Sequence, residues 1–174
     1  MLATEPTASP RVNRMMIAGR MKPLSLRRLT PGERGLAAEM FGDGLEAGRV
    51  RILALPAWNR AFVAGPGLIV WPAATVRADF AAEEVPLGVQ AVFVHELTHV
   101  WQAQHGVALL LAKLKAGDSD ASYAYDLEDG RPFAAMNIEQ QAMVVEHAFL
   151  ASRGGVTPHP APLYAEASTH WRRT

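Results

Sequence analysis

The 174-residue chain contains no cysteine. Disulfides are excluded, and so is any thiolate metal site, so a bound metal must be held by nitrogen and oxygen. No run of 18 apolar residues occurs, which excludes a membrane-spanning helix. Charge of neither sign is in excess: 17 Lys and Arg face 17 Asp and Glu, so no general attraction to nucleic acid or to a membrane surface is expected. The stretch from Met1 to Ser9 lacks the basic region and apolar core of a secretory signal. The expected address is the cytoplasm, or export by a route that reads no N-terminal signal. Internal repeats and low-complexity segments are also missing. What remains is an ordinary globular composition, 49% hydrophobic and 20% charged, in a length that suits one domain with its own core.

Against that background one stretch stands out, Ala91-Val92-Phe93-Val94-His95-Glu96-Leu97-Thr98-His99-Val100-Trp101-Gln102. It contains His-Glu-x-x-His, which a chain of this composition meets by chance about 0.01 times. A helix turns about 100° per residue, so positions i and i+4 stack on one face. His95 and His99 can therefore aim two imidazole nitrogens at one metal ion. Glu96 projects to the side of that point, where a general base must sit to take a proton from water on the metal. Pro86, Val89, Phe93, Leu97 and Val100 fall on the opposite side, which predicts one buried face and one face carrying the site.

The rest of the chain reads as scaffold of α+β class. Residues 1–28 hold Arg11, Arg14, Arg20, Lys22, Arg27 and Arg28 against the single acid Glu5, with Pro6, Pro10 and Pro23 interrupting. They read as a flexible basic arm, or as a docking arm for an acidic partner. Thr30-Pro31-Gly32-Glu33 is a capping box that opens a helix ending near Gly42 or Gly44. Strands are expected at Val50–Leu53, Ala61–Ala64 and Leu68–Trp71, the last two joined by Gly65-Pro66-Gly67. Pro72 marks Leu68–Trp71 as an edge, either an ordinary one or one that pairs with an extended substrate. The central helix runs from Pro86 or Leu87 to Gly106. A packing helix follows over Val107–Lys115, then an extended Tyr123–Leu127. Asn137 caps a helix from Ile138 to about Ser152. Residues 156–174 form a proline-rich exit with a short helix, so the main domain spans 29–155.

A catalytic zinc needs three protein ligands and one open position. His105 has the spacing of the longer His-Glu-x-x-His-x-x-Gly-x-x-His pattern, but position 102 is Gln, not the glycine that would turn the chain back. On a continuing helix His105 lies about 15 Å along the axis from His95. Glu139, in the first turn of the next long helix, is the other candidate. Glu146 and His147 share roughly its face and could replace it or act behind it. Tyr123 and Tyr125 lie between the two helices, and a tyrosine hydroxyl can stabilise an oxyanion.

These residues resemble a family. His95-Glu96-Leu97-Thr98-His99-Val100-Trp101-Gln102, with Tyr123-Ala124-Tyr125 and Asn137-Ile138-Glu139-Gln140-Gln141-Ala142, is similar to small zincin-like proteins related to Vgr and Rhs elements, which occur beside bacterial injection and type VI secretion components. The resemblance runs from about residue 29 to 152. It includes Leu29-Thr30-Pro31-Gly32-Glu33, Phe41-Gly42-Asp43 and Val50-Arg51-Ile52. It departs at Glu146-His147, where a second acid is expected. It implies a gluzincin-type fold, a small mostly antiparallel sheet packed on the active-site helix and a second, ligand-bearing helix. It also implies Zn2+ on His95, His99 and Glu139, with Glu96 as base. The expected function is hydrolysis of a peptide or protein substrate, in association with a secretion-system spike. A zincin-fold adaptor without strong catalysis, and an amidase acting on cell-wall peptides, are the rivals.

Overall fold

The computed structural model of the protein describes residues 19–172. Residues 1–18 of the expected arm lie outside them. The arm's last part belongs to the sheet: Leu26–Arg28 is strand β1, antiparallel to β2 (Arg51–Leu55). Arg27 is the reason. Its guanidinium meets the fully buried carboxylate of Glu33 through bonds of 2.6 and 2.7 Å, a planar fork on a planar acceptor. Glu33 also closes the capping box of α1 (Pro31–Phe41), accepting from the Thr30 amide at 2.9 Å while its own amide donates to the Thr30 hydroxyl. The Phe80 amide donates to its other oxygen at 2.8 Å. One carboxylate thus ties a helix start to a strand and to a distant loop.

The sheet has four strands in the order β1, β2, β4, β3, where β3 is Phe62–Val63 and β4 is Leu68–Pro72. Its two outer pairings are antiparallel and the central one, Ile52 opposite Ile69, is parallel. The expectation that Leu68–Trp71 forms an edge is corrected here. β4 lies inside the sheet, and the edge is β3, folded onto it by Gly65-Pro66-Gly67. Pro72 is tolerated because its nitrogen faces the β3 side, where β3 pairs only as far as Val70. No ladder bond is lost.

Behind the sheet runs α2 (Leu87–Gln104), with Phe93, Leu97 and Val100 fully buried. Phe93 stacks on Phe80 with ring centres 4.7 Å apart, and Phe80 meets Trp71 at 4.3 Å. Gly106, at φ 85°, takes the chain out of the helix in the left-handed region. The chain continues through α3 (Leu109–Ala116), α4 (Asp120–Tyr123), α5 (Ile138–Ser152) and α6 (Ala161–Ala167). The extended segment expected over Tyr123–Leu127 begins at Ala124, whose backbone is extended at φ −68° and ψ 132°, and it pairs with no strand among the described residues. Tyr123 ends α4, and the carbonyl of Ala124 accepts from the Gln140 side chain at 2.6 Å, not from a neighbouring strand. Asn137 caps α5 as expected, accepting from the amides of Glu139 and Gln140 at 2.9 Å each. α5 packs along α2, and α6 packs on α5. The proline-rich C-terminal stretch belongs to this core: Tyr164 and Trp171 are buried, and the Trp171 indole donates to the Met40 carbonyl at 3.0 Å.

Candidate metal centre

His95 and His99 stand one turn apart on α2, with ring centres 4.9 Å apart and planes at 82°. Their Nε2 atoms converge on Oε2 of Glu139, from the first turn of α5, at 3.4 and 3.5 Å. All three ligand atoms lie within 4.8 Å of one another. These distances are longer than charge-assisted hydrogen bonds, which run about 2.7–2.9 Å. Donors around a tetrahedral zinc with bonds of about 2.0–2.1 Å stand about 3.3–3.4 Å apart, and the observed spacing fits that geometry.

The other nitrogen of each ring is already engaged. Nδ1 of His95 lies 3.0 Å from Oε2 of Glu146, and Nδ1 of His99 lies 2.8 Å from Oε1 of Gln102. Each acceptor takes a hydrogen bond from Nδ1, which leaves Nε2, on the Glu139 side, as the nitrogen a neutral ring would offer to a metal. Gln102 is itself held, donating to the Ile138 carbonyl at 3.0 Å and to Gln141 at 2.9 Å. A nitrogen–nitrogen–oxygen set with both rings braced from behind suits zinc.

The expectation of one open helix face is modified. α5 covers that side too, so His95, Glu96 and His99 are only 9%, 6% and 8% exposed. They form the floor of a cleft of about 1090 Å³. Three carboxylates, of Glu96, Glu139 and Glu146, face the two imidazoles there. Burial opposes a charge on His95, but the bonds from Glu139 and Glu146 outweigh it and lift its pKa to about 9. Burial likewise pushes the Glu139 carboxyl up, and its bonds to His95, His99 and Lys113 reverse that and hold it well below the usual range. Burial pushes the Glu96 carboxyl up, with the two histidines pulling partly back. Among the described residues, no protein group donates to the buried Oε2 of Glu96.

His105 is not brought to this point. It is exposed at the end of α2, with Nδ1 2.8 Å from the Trp101 carbonyl. Tyr125 and His147 lie outside the cleft lining: the Tyr125 hydroxyl sits 2.5 Å from Nδ1 of His147 and 2.6 Å from the Tyr164 hydroxyl. Tyr123 does reach the rim, its hydroxyl 2.7 Å from Nζ of Lys113 and 2.8 Å from Asp118. Glu146 stands behind His95, one of the two roles open to it from the sequence. Lys113 and Arg60 were not legible. Lys113 is embedded in the apolar run Val107–Ala116, where it reads as the polar side of a packing helix.

No family model matches the chain. The solved effector domain of Pseudomonas aeruginosa VgrG2b superposes on it with a TM-score of 0.62 at 33% identity, covering 91% of this chain and 89% of that one. The chain belongs to the VgrG2b effector-domain family. The type VI secretion system spike protein VgrG2b of the same organism is 37% identical over 136 residues, 71% of this chain. The chain spans 13% of that spike protein's length. The VgrG2b likeness extends over nearly the whole domain, so the family rests on much more than the His-Glu-x-x-His motif. The expected kinship with Vgr elements is met through this effector domain.

Proposed function

We propose that this chain is a zinc-dependent peptidase of zincin type, acting as a secretion-associated effector of the VgrG2b family. The observation that carries the reading is the convergence of His95 Nε2, His99 Nε2 and Glu139 Oε2 at zinc-donor spacing, beside a buried Glu96 oxygen with no protein donor. Zinc held there would supply the Lewis acidity that polarises a peptide carbonyl and acidifies a water. Glu96 would be the residue placed to accept a proton from a water at that site and to return it to a leaving amine. Its burial raises its affinity for the proton, as a base at this point requires.

The cleft favours a peptide with apolar side chains. One wall is the sheet edge β3, with Phe62 packed edge-on against Trp58 at 5.6 Å. The facing wall is α3, whose Leu110 and Leu111 are exposed into the cleft. An extended backbone can pair with β3 while its side chains lie between these walls. Among the described residues no helix is long and apolar enough to cross a membrane. Carriage by a spike of the VgrG2b kind fits a route that reads no N-terminal signal. A second reading, an adaptor that grips a partner without cleaving it, draws on the exposed Leu110, Leu111 and Leu114.

Elemental analysis of the purified chain, followed by digestion of an unstructured protein, tests the proposal. One zinc per chain is expected, with cleavage that stops on adding a chelator and in Glu96→Gln. Zinc without cleavage by the unaltered chain favours the adaptor. A chain that takes no zinc overturns the peptidase reading.

A further inference from the structure

The two oxygens of Glu139 face different partners. Oε2 faces the imidazole nitrogens, while Oε1 lies 2.9 Å from Nζ of Lys113 on α3. That ammonium is placed by two further acceptors, the Tyr123 hydroxyl at 2.7 Å and Oδ1 of Asp118 at 3.2 Å. Arg60 anchors Asp118 in turn, with bonds of 2.8 and 3.3 Å from across the cleft. α3 contributes no buried residue. A carboxylate whose second oxygen is free can swing to grip a zinc ion with both atoms, which fills the position a catalytic zinc keeps open.

We propose that Lys113 is a positioning residue that restricts Glu139 to a single ligand oxygen, held in place by Tyr123 and Asp118. The inference rests on the zinc reading above. The ammonium engages Oε1 and leaves Oε2 to the imidazole side, so it would keep Oε1 from a metal held there. Lysine suits the task because its charge sits at the end of a long stem. It can reach Glu139 from a helix that itself buries no residue.

X-ray absorption on the zinc-loaded full chain, with zinc affinity from competition against a coloured chelator, separates the outcomes. The unaltered chain is expected to show four light-atom donors. Lys113→Met is expected to gain one oxygen, to bind zinc no more weakly, and to lose about tenfold in kcat with little change in KM. Lys113→Arg, which keeps the cation, should retain the four-donor shell. Tyr123→Phe, which removes one anchor, should move the shell in the same direction by less. Circular dichroism confirms that the variants are folded. An unchanged shell in Lys113→Met overturns the proposal, as does a five-donor shell in the unaltered chain. Weaker zinc binding in that variant with four donors retained also overturns it, since it marks a merely structural contact. A chain that takes no zinc at all sinks the zinc reading and this inference together, and so is distinguishable from failure of the inference alone.

Discussion

Nδ1 of His99 lies 2.8 Å from Oε1 of Gln102, three residues further along the same helix. The glutamine stands where the longer zinc motif has a glycine, and it uses that place to orient the ring before it. Its amide is fully buried and spans from α2 to the start of α5, the helix that carries Glu139. Gln102→Leu should therefore weaken zinc binding about 10- to 100-fold. It should also cost about 1–3 kcal/mol of stability, because the Ile138 carbonyl and the His99 ring lose their partner. Chelator competition and urea unfolding read the two effects. Wild-type zinc affinity in that variant would show that the ring needs no brace.

Zinc that binds only the folded chain should stabilise it. At a free zinc concentration of 100 times the Kd, the gain is about 2.7 kcal/mol. Glu139→Ala removes one of the three proposed donors and should gain much less at the same concentration. Equal gains in the two proteins, measured by urea unfolding with and without zinc, would remove Glu139 from the ligand set.

Glu33 is another buried carboxylate, outside the cleft lining. Glu33→Ala leaves Arg27 and the amides of Thr30 and Phe80 without their shared acceptor. A loss of about 3–5 kcal/mol is expected, as for other broken buried ion pairs. Zinc affinity of the folded fraction should not change, since Glu33 touches none of the ligands. A loss under 1 kcal/mol would mean that water replaces the carboxylate easily.

Trp171 tests the place of the C-terminal stretch. Its ring is fully buried and packs 5.1 Å from Phe133, and its indole caps the Met40 carbonyl. Trp171→Ala should cost about 3–5 kcal/mol. A near-neutral result in thermal unfolding would show that the domain closes without this segment.

Features legible in the sequence share one property: they act within a few residues of themselves. The capping boxes at Thr30 and Asn137 depend on positions three apart. The alignment of His95 with His99 follows from helix pitch. Glu139 was reachable because Asn137 announces a helix start and a first-turn acid can face a neighbouring helix. The reading of Leu68–Trp71 as an edge erred because a proline at a strand end is compatible with an interior strand whose neighbour stops short. Tyr125 sits near Tyr123 in the chain, yet the two hydroxyls serve different clusters on either side of the backbone.

The sequence by itself determined the α+β class, the helix carrying His95, Glu96 and His99, and, through the lack of cysteine, that any metal would meet only nitrogen and oxygen. Only the tertiary structure decided which acid meets the two histidines, that Glu146 and Gln102 lie against their Nδ1 atoms, and that Lys113 reaches the second oxygen of Glu139. The physical reason is range. Backbone geometry repeats at fixed intervals and can be read along a chain, whereas the meeting of α2, α3 and α5 depends on how their apolar faces pack, which no local pattern encodes.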